Sequence, residues 1–166
     1  MTDGLIRRAA PDDVDEIVAM VGDLAEYEHA RHEAVATPDQ FRQALFGPRP
    51  TVYAHVVEHE GPDHRLGGFA LWFLNFSTWL GVNGLYLEDL YVRPSLRGSG
   101  YGSSLLRTLA AECVENGYGR LDWWVLDWNA PSRDFYAAHG AQALTEWIPY
   151  RVTGDALTAL ARGDSR

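Results

Sequence analysis

The chain's clearest chemistry lies in six consecutive residues, Arg97-Gly98-Ser99-Gly100-Tyr101-Gly102. Glycines at every second position let a backbone turn sharply with no Cβ to block a ligand, so successive N–H groups can converge on one anion. An apolar, strand-like run at residues 85–92 precedes them. An amphipathic helical stretch at residues 103–114 follows and adds its positive N-terminal end. This order of strand, glycine loop and helix suits a pyrophosphate held by backbone amides. A Walker loop would need a lysine, and the sequence contains none. A dinucleotide fingerprint would need a third glycine where Ser103 stands, and it usually opens a domain, whereas this loop begins past the midpoint.

Other side chains could supply acid–base chemistry. Glu88 and Asp89 interrupt the apolar run before the loop, and a carboxylate there is costly to bury unless it is paired or open to a cleft. Neighbours in a regular strand point to opposite faces, so one acid suits chemistry and the other a structural pairing with an arginine. The Tyr136 phenol is a proton donor at neutral pH, with core packing beside Phe135 as the alternative. Tyr27 and Glu28 close a helical stretch in which Glu28 lies four residues after Leu24 and seven after Val21, placing a carboxylate on the inward stripe. Such an acid suits a substrate ammonium; a frayed helix end in water is the alternative. The six histidines show no metal-ligand spacing, since His29 and His32 are three apart without a third ligand, and no metal is expected.

Arg97, Gly100 and Gly102 form the pattern Arg-x-x-Gly-x-Gly between strand and helix, which resembles the acetyl-coenzyme A loop of the GCN5-related N-acetyltransferases (GNAT). Tyr86-Leu87-Glu88-Asp89 before the loop and Asp127-Trp128-Asn129-x-Pro131-Ser132-x-x-Phe135-Tyr136 after it resemble the small-amine branch typified by spermidine/spermine acetyltransferase. Ser77-Thr78-Trp79, the run at residues 125–129 and Gly140-Ala141-Gln142 are most similar to its thialysine-acetylating relatives. The likeness spans residues 6–160. It implies an acetyl-CoA-dependent transfer to a primary amine of a small diamine, a polyamine or a lysine-like amino acid such as thialysine or ornithine. An antibiotic or peptide amine is the alternative acceptor, and a non-catalytic acetyl-CoA-binding regulator is the alternative outside enzymes.

The same resemblance assigns roles. Leu90, Tyr91 and Val92 would offer backbone bonds to the pantetheine arm. Arg97, Gly98, Ser99, Gly100, Tyr101, Gly102 and Ser103 would face the pyrophosphate. Asn129, Pro131 and Ser132 would approach the coenzyme from the other wall, although Asn129 is equally suited to capping the helix that contains Pro131. Glu88 would be the base, directly or through a water, and Tyr136 the acid toward the departing thiolate. Tyr27, Glu28, Ser77, Glu88, Glu146 and Trp147 would meet the acceptor, in a homodimer that shares its site between chains. Polyamine-acetylating members carry an acid where this chain has Ser77, and their late acidic stretch is shortened here to Glu146 directly before Trp147. Both differences remove negative charge, so thialysine, lysine, ornithine or a short diamine is expected to be preferred over spermine.

These residues need elements to hold them. Residues 5–9 read as a first strand, and apolar positions Val14, Ile17, Val18, Val21, Leu24 and Ala25 follow a helical period. Thr37-Pro38-Asp39-Gln40 is a capping box opening a second helix to about residue 46. Residues 51–60 and 66–76 read as an antiparallel pair across the turn cluster at 60–64, and 85–92 as the next strand. After the glycine loop and its helix come a strand at 120–126, a helix from Pro131, a last strand at 145–152 and a helix from Asp155. The pattern is mixed α/β. The resemblance adds one mixed, mostly antiparallel sheet, flanked by helices, whose central strands splay to admit the coenzyme.

A chain of 166 residues suits a single domain, here residues 1–166. A hydrophobic fraction of 46% with six tryptophans excludes a disordered or fibrous chain. The net charge of −9 argues against nucleic acid and favours cationic partners. One cysteine, Cys113, permits no intrachain disulfide and continues an apolar helical stripe as a packed thiol. The opening residues lack a secretory pattern and no apolar run approaches membrane-spanning length, so a cytoplasmic protein without membrane attachment is expected.

Overall fold

Near-continuous apolar runs in the first half of the chain build one sheet, and apolar helical stripes cover its two faces. The computed structural model describes residues 5–59, 61–62 and 64–163. In the sheet, β1 (Ile6–Arg8), β2 (Tyr53–Glu58), β3 (Leu66–Ser77) and β4 (Val82–Val92) run antiparallel in succession, and β5 (Leu121–Asp122) pairs parallel with β4. The helices are α1 (Val14–Tyr27), α2 (Pro38–Phe46), α3 (Tyr101–Asn116), α4 (Ala130–Ala138) and α5 (Gly154–Arg162). This is the expected mixed, mostly antiparallel sheet flanked by helices. Of the expected turn, Glu60 and Asp63 lie outside the described residues, as do Met1, Thr2, Asp3 and Gly4 at the start.

Side-chain alternation assigns the faces. Val14, Ile17 and Met20 of α1 bury themselves against Ala54 and Val56 of β2, Phe69 and Leu71 of β3 and Tyr91 of β4. The intervening residues look the other way, toward α3. Trp72 Nε1 donates to His55 Nδ1 at 3.2 Å, and His55 Nε2 lies 3.4 Å from Glu112 of α3, which also binds Arg8 at 2.7 Å. Burial pushes His55 down to about 4, so this histidine is neutral at physiological pH. Leu105, Leu106, Leu109 and Cys113 form the buried stripe of α3. Asp13 anchors the start of α1 by accepting the Ala10 N–H at 2.7 Å and pairing with Arg7 at 2.6 Å, and α2 opens with the expected Thr37–Gln40 capping box.

Two expected strands need correction. The one at 120–126 is only Leu121–Asp122, because pairing with β4 ends at Tyr86↔Asp122. Just beyond, β4 carries a bulge: Trp72 pairs with Leu87 and Leu71 with Asp89, leaving Glu88 extra. A bulge bends its strand and raises the local twist, and among the described residues no strand pairs with β4 on that side beyond Tyr86. The strand at 145–152 is absent. Trp147 N–H instead donates to Leu144 O at 3.3 Å, closing a turn inside the run, and Pro149 supplies no N–H to a ladder.

Contacts divide the chain after Leu126 into two compact units. The first holds the sheet and α1 to α3. The second holds α4 and α5, and among its described residues Asn129 is the one buried side chain.

Candidate active site

In the first unit the glycine loop is an array of unpaired donors. Gly98 and Gly100 have φ of 80° and 86°, the left-handed region that a side chain adopts only with strain, and Gly100 stands at the N-cap of α3 with no side chain to cap it. The first hydrogen bond of the helix is Ser104 N–H to Gly100 O at 2.9 Å. The six N–H groups from residue 98 to residue 103 therefore donate to no backbone or side-chain acceptor among the described residues. Unpaired amides at the positive end of a 16-residue helix make an anion cradle, a donor set that suits a pyrophosphate.

The edge of β4 leads into this cradle. Leu90, Tyr91 and Val92 pair with Ala70, Phe69 and Gly68 on the β3 side, while β5 touches β4 only at Leu85 and Tyr86. Among the described residues, 87–92 thus present their outer edge without a strand partner, in keeping with the splay that the family resemblance implies. Val92 O accepts from Arg97 Nε at 3.2 Å. Gly68 is required on the β3 side, because a Cβ there would lie 2.5 Å from Tyr91 O.

The bulge decides what the two acids do. Asp89 pairs with Leu71, whose side chain is on the α1 face, whereas Leu87 pairs with Trp72 on the α3 face. Asp89 is half-buried there, and Glu88 is exposed at the bulge. Asp89 forms no ion pair among the described residues, so the expected arginine partner is not found. The charged groups that act on it are acids: burial first, then Glu88, then Glu28 push its carboxyl up to about 7. Glu28, at the C-cap of α1, is itself raised by burial. Glu28, Glu88 and Asp89 form one acidic cluster, beside the negative end of the α1 dipole. The sequence pairing of the two acids hid Asp89, because a bulge leaves no mark on strand alternation.

The backbone also fixes Glu28. The residue after it, His29, has φ 61°, and Ala30 N–H donates to Ala25 O at 2.8 Å, so α1 ends in a Schellman-like turn with histidine in the usual glycine position. Tyr27 stacks its ring under the Arg97 guanidinium at 5.3 Å.

Ser77 is elsewhere. It pairs with Val82, at the opposite end of β4 from Asp89, a separation of roughly 20 Å at the rise of a strand. It is 5% exposed, and its Oγ accepts from Leu80 N–H at 3.2 Å in the β3–β4 turn. Ser77 and the acidic cluster of the same chain therefore do not meet.

In the second unit Asn129 caps α4: its Oδ1 accepts from Ser132 N–H at 3.3 Å, with Pro131 in the first turn. The capping alternative is thus realised, and it also sets the orientation of Ser132. Tyr136 is half-buried on the same helix with its ring 5.2 Å from Phe135. Glu146 is exposed at the turn that replaces the expected strand, and Trp147 beside it is 65% exposed. Among the described residues no group of three His, Cys, Asp or Glu side chains is placed to hold a metal, and no helix is long and apolar enough to cross a membrane.

Residues 15–141 match the Acetyltransferase (GNAT) family. The thialysine N-epsilon-acetyltransferase of Bos taurus is 36% identical over 165 residues, covering 95% of this chain and 96% of that protein. The L-ornithine N5-acetyltransferase NATA1 of Arabidopsis thaliana is 32% identical over 197 residues, covering 93% and 86%. Among solved structures, an integron cassette protein from the mobile metagenome of V. cholerae superposes with a TM-score of 0.79 at 25% identity, covering 98% of this chain and 99% of that one.

Proposed function

We propose, from the premise that this chain belongs to the GNAT acetyltransferase family, that it transfers acetyl from acetyl-CoA to the side-chain amine of a lysine-like amino acid, such as thialysine or ornithine, or of a short diamine. The observation that carries the reading is the run of six unpaired amides opening α3, because a cradle made wholly of backbone donors binds a pyrophosphate without a counter-cation. The relatives named for thialysine and ornithine supply the acceptor class. The family match crosses the boundary at Leu126, which supports one catalytic domain built from both units.

Residues 98–103 would hold the pyrophosphate and the outer edge of residues 90–92 the pantetheine arm. Bound there, acetyl-CoA supplies a thioester as acyl donor. The chain's own residues then bring a cation to that edge and remove its proton. Glu28 and Glu88 attract the acceptor ammonium, and Asp89, whose carboxyl is raised to about 7, takes the proton that makes the nitrogen a nucleophile. Tyr136 is the proton donor for the leaving sulfur.

The active form would be a homodimer in the cytoplasm. In the first unit Trp79, at the β3–β4 turn, is 88% exposed, and in the second unit Trp147, Ile148 and Tyr150 are 65%, 74% and 90% exposed, apolar side chains of the kind that association covers. Ser77 would reach an acceptor only from a second copy. Acetyl-CoA consumption over a panel of amines, with mass spectrometry of the products, tests the reading: acetylated ornithine or thialysine supports it, and no transfer to any primary amine overturns it. Light scattering of a fully active monomer would remove the dimer.

A further inference from the structure

The Arg97 side chain lies against the last turn of α1 and the end of β4. Its guanidinium carbon lies 5.3 Å from the Tyr27 ring centroid and 5.9 Å from that of Tyr91, and its Nε donates to Val92 O at 3.2 Å. These contacts continue a row along α1. Arg93 donates from Nε to Leu66 O at 2.8 Å and reaches Glu16 at 3.6 Å and Asp23 at 3.8 Å, and the Asp23 charge also acts on the Tyr91 hydroxyl. Glu16, Asp23 and Tyr27 are spaced at seven and four residues, one stripe of the helix. The row ends at Arg97, one residue from Gly98 on one side and, through Tyr27, one residue from Glu28 on the other.

We infer that Arg97 is a positioning residue: bracketed by Tyr27 and Tyr91, it fastens the last turn of α1, and with it Glu28, to the first residue of the anion cradle, so that filling the cradle orders the acceptor end. The inference rests on the acetyl-transfer reading for the identity of the two ligands. A planar guanidinium can lie against two rings while donating in its own plane, which an ammonium cannot do. Coupling between the two sites is reciprocal, so it can be read as the effect of one ligand on the affinity of the other.

The test uses coenzyme A and ornithine as probes, with titration calorimetry on the whole chain and on Arg97→Lys, Tyr27→Leu and the double variant. In the wild type, coenzyme A should tighten ornithine by about five- to thirtyfold, the worth of two cation–π contacts. Arg97→Lys keeps the positive charge and every loop amide, so its coenzyme affinity should stay within about threefold while the coupling falls below about twofold. Tyr27→Leu should do the same, and the double variant should be no worse than either single one. Coupling that persists in Arg97→Lys, or coenzyme affinity that falls tenfold with coupling intact, would make Arg97 a phosphate contact and overturn the inference. Failure of the wild type to bind any amine would count against the acceptor reading instead. Amide hydrogen exchange at residues 24–30 then decides the clamp: coenzyme-dependent protection lost in Arg97→Lys supports it, and equal protection in both proteins overturns it.

Discussion

Replacing Glu28 by Gln should shift the pH dependence of acetyl transfer toward acid while leaving the coenzyme site intact. Asp89 titrates near 7 because burial and two neighbouring carboxylates oppose its ionisation, and Glu28 is one of the two. With a midpoint of about 7, its ionised fraction rises about tenfold between pH 6 and pH 8. The rate constant kcat/KM should rise by the same factor if Asp89 takes the acceptor's proton. Removing the Glu28 charge takes away one Coulombic contribution and leaves desolvation and Glu88. A unit charge a few ångströms farther than contact, at an effective dielectric constant near 40 to 80 between half-exposed groups, moves a midpoint by about half to one pH unit. The rise between pH 6 and pH 8 should then shrink to about two- to fourfold.

The amine itself also loses protons as pH rises. Its contribution is removed by dividing each profile by that of Asp89→Asn, which keeps the shape of the side chain and cannot ionise. Because the three acids interact, the divided profile reports midpoints of the cluster rather than of one residue. The sign is still fixed: losing a negative neighbour makes Asp89 ionise at lower pH. A midpoint that moves toward alkali in Glu28→Gln, or an Asp89→Asn profile that still shows the step near 7, would refute the assignment of the proton to Asp89.

Gly102→Val places a side chain at the cradle from a residue already helical in the first turn of α3, so coenzyme affinity should fall by about one to two orders of magnitude in calorimetry, with melting temperature held or raised. Tyr136→Phe should lower kcat by about two orders of magnitude with coenzyme affinity unchanged, and normal turnover would leave Tyr136 as packing beside Phe135. Gly68→Ala forces a Cβ to within 2.5 Å of Tyr91 O; the strands must part, at a cost of about 2–4 kcal/mol in denaturant unfolding.

Much of the first unit could be read from sequence because each element there announces itself locally. The capping box of α2, the apolar runs of β2 and β3 and the glycines before α3 each act within a few residues, and the structure places these elements as expected. Failures came where a distant partner decides. Residues 145–152 have strand composition, but a strand exists only through a neighbour, and the turn at Leu144 to Trp147 takes its place. Ser77, opposite Val82, lies at the other end of β4 from the acids of its own chain, a separation that register and not motif context sets, and its expected role then belongs to a site shared between copies. Asp89 was passed over for a related reason. Alternation placed it opposite Glu88, while the bulge, set by pairing with β3, gave it the α1 face and the company of Glu28.

That company also suits the proposed coenzyme cradle of backbone amides. A phosphate site built from lysine or arginine, next to Glu28, Glu88 and Asp89, would form salt bridges with them. Such pairing would favour their ionised forms, pull Asp89 down from about 7 and neutralise the charge that draws an ammonium. Backbone amides avoid this conflict, because they carry dipoles fixed along α3 and cannot swing toward a carboxylate. The guanidinium that opens the loop is held instead on Tyr27 and Tyr91, faces that keep a cation without cancelling an acid. An anionic coenzyme and a cationic acceptor can therefore share one end of β4, each drawn by its own field, in a chain with no lysine and a net charge of −9.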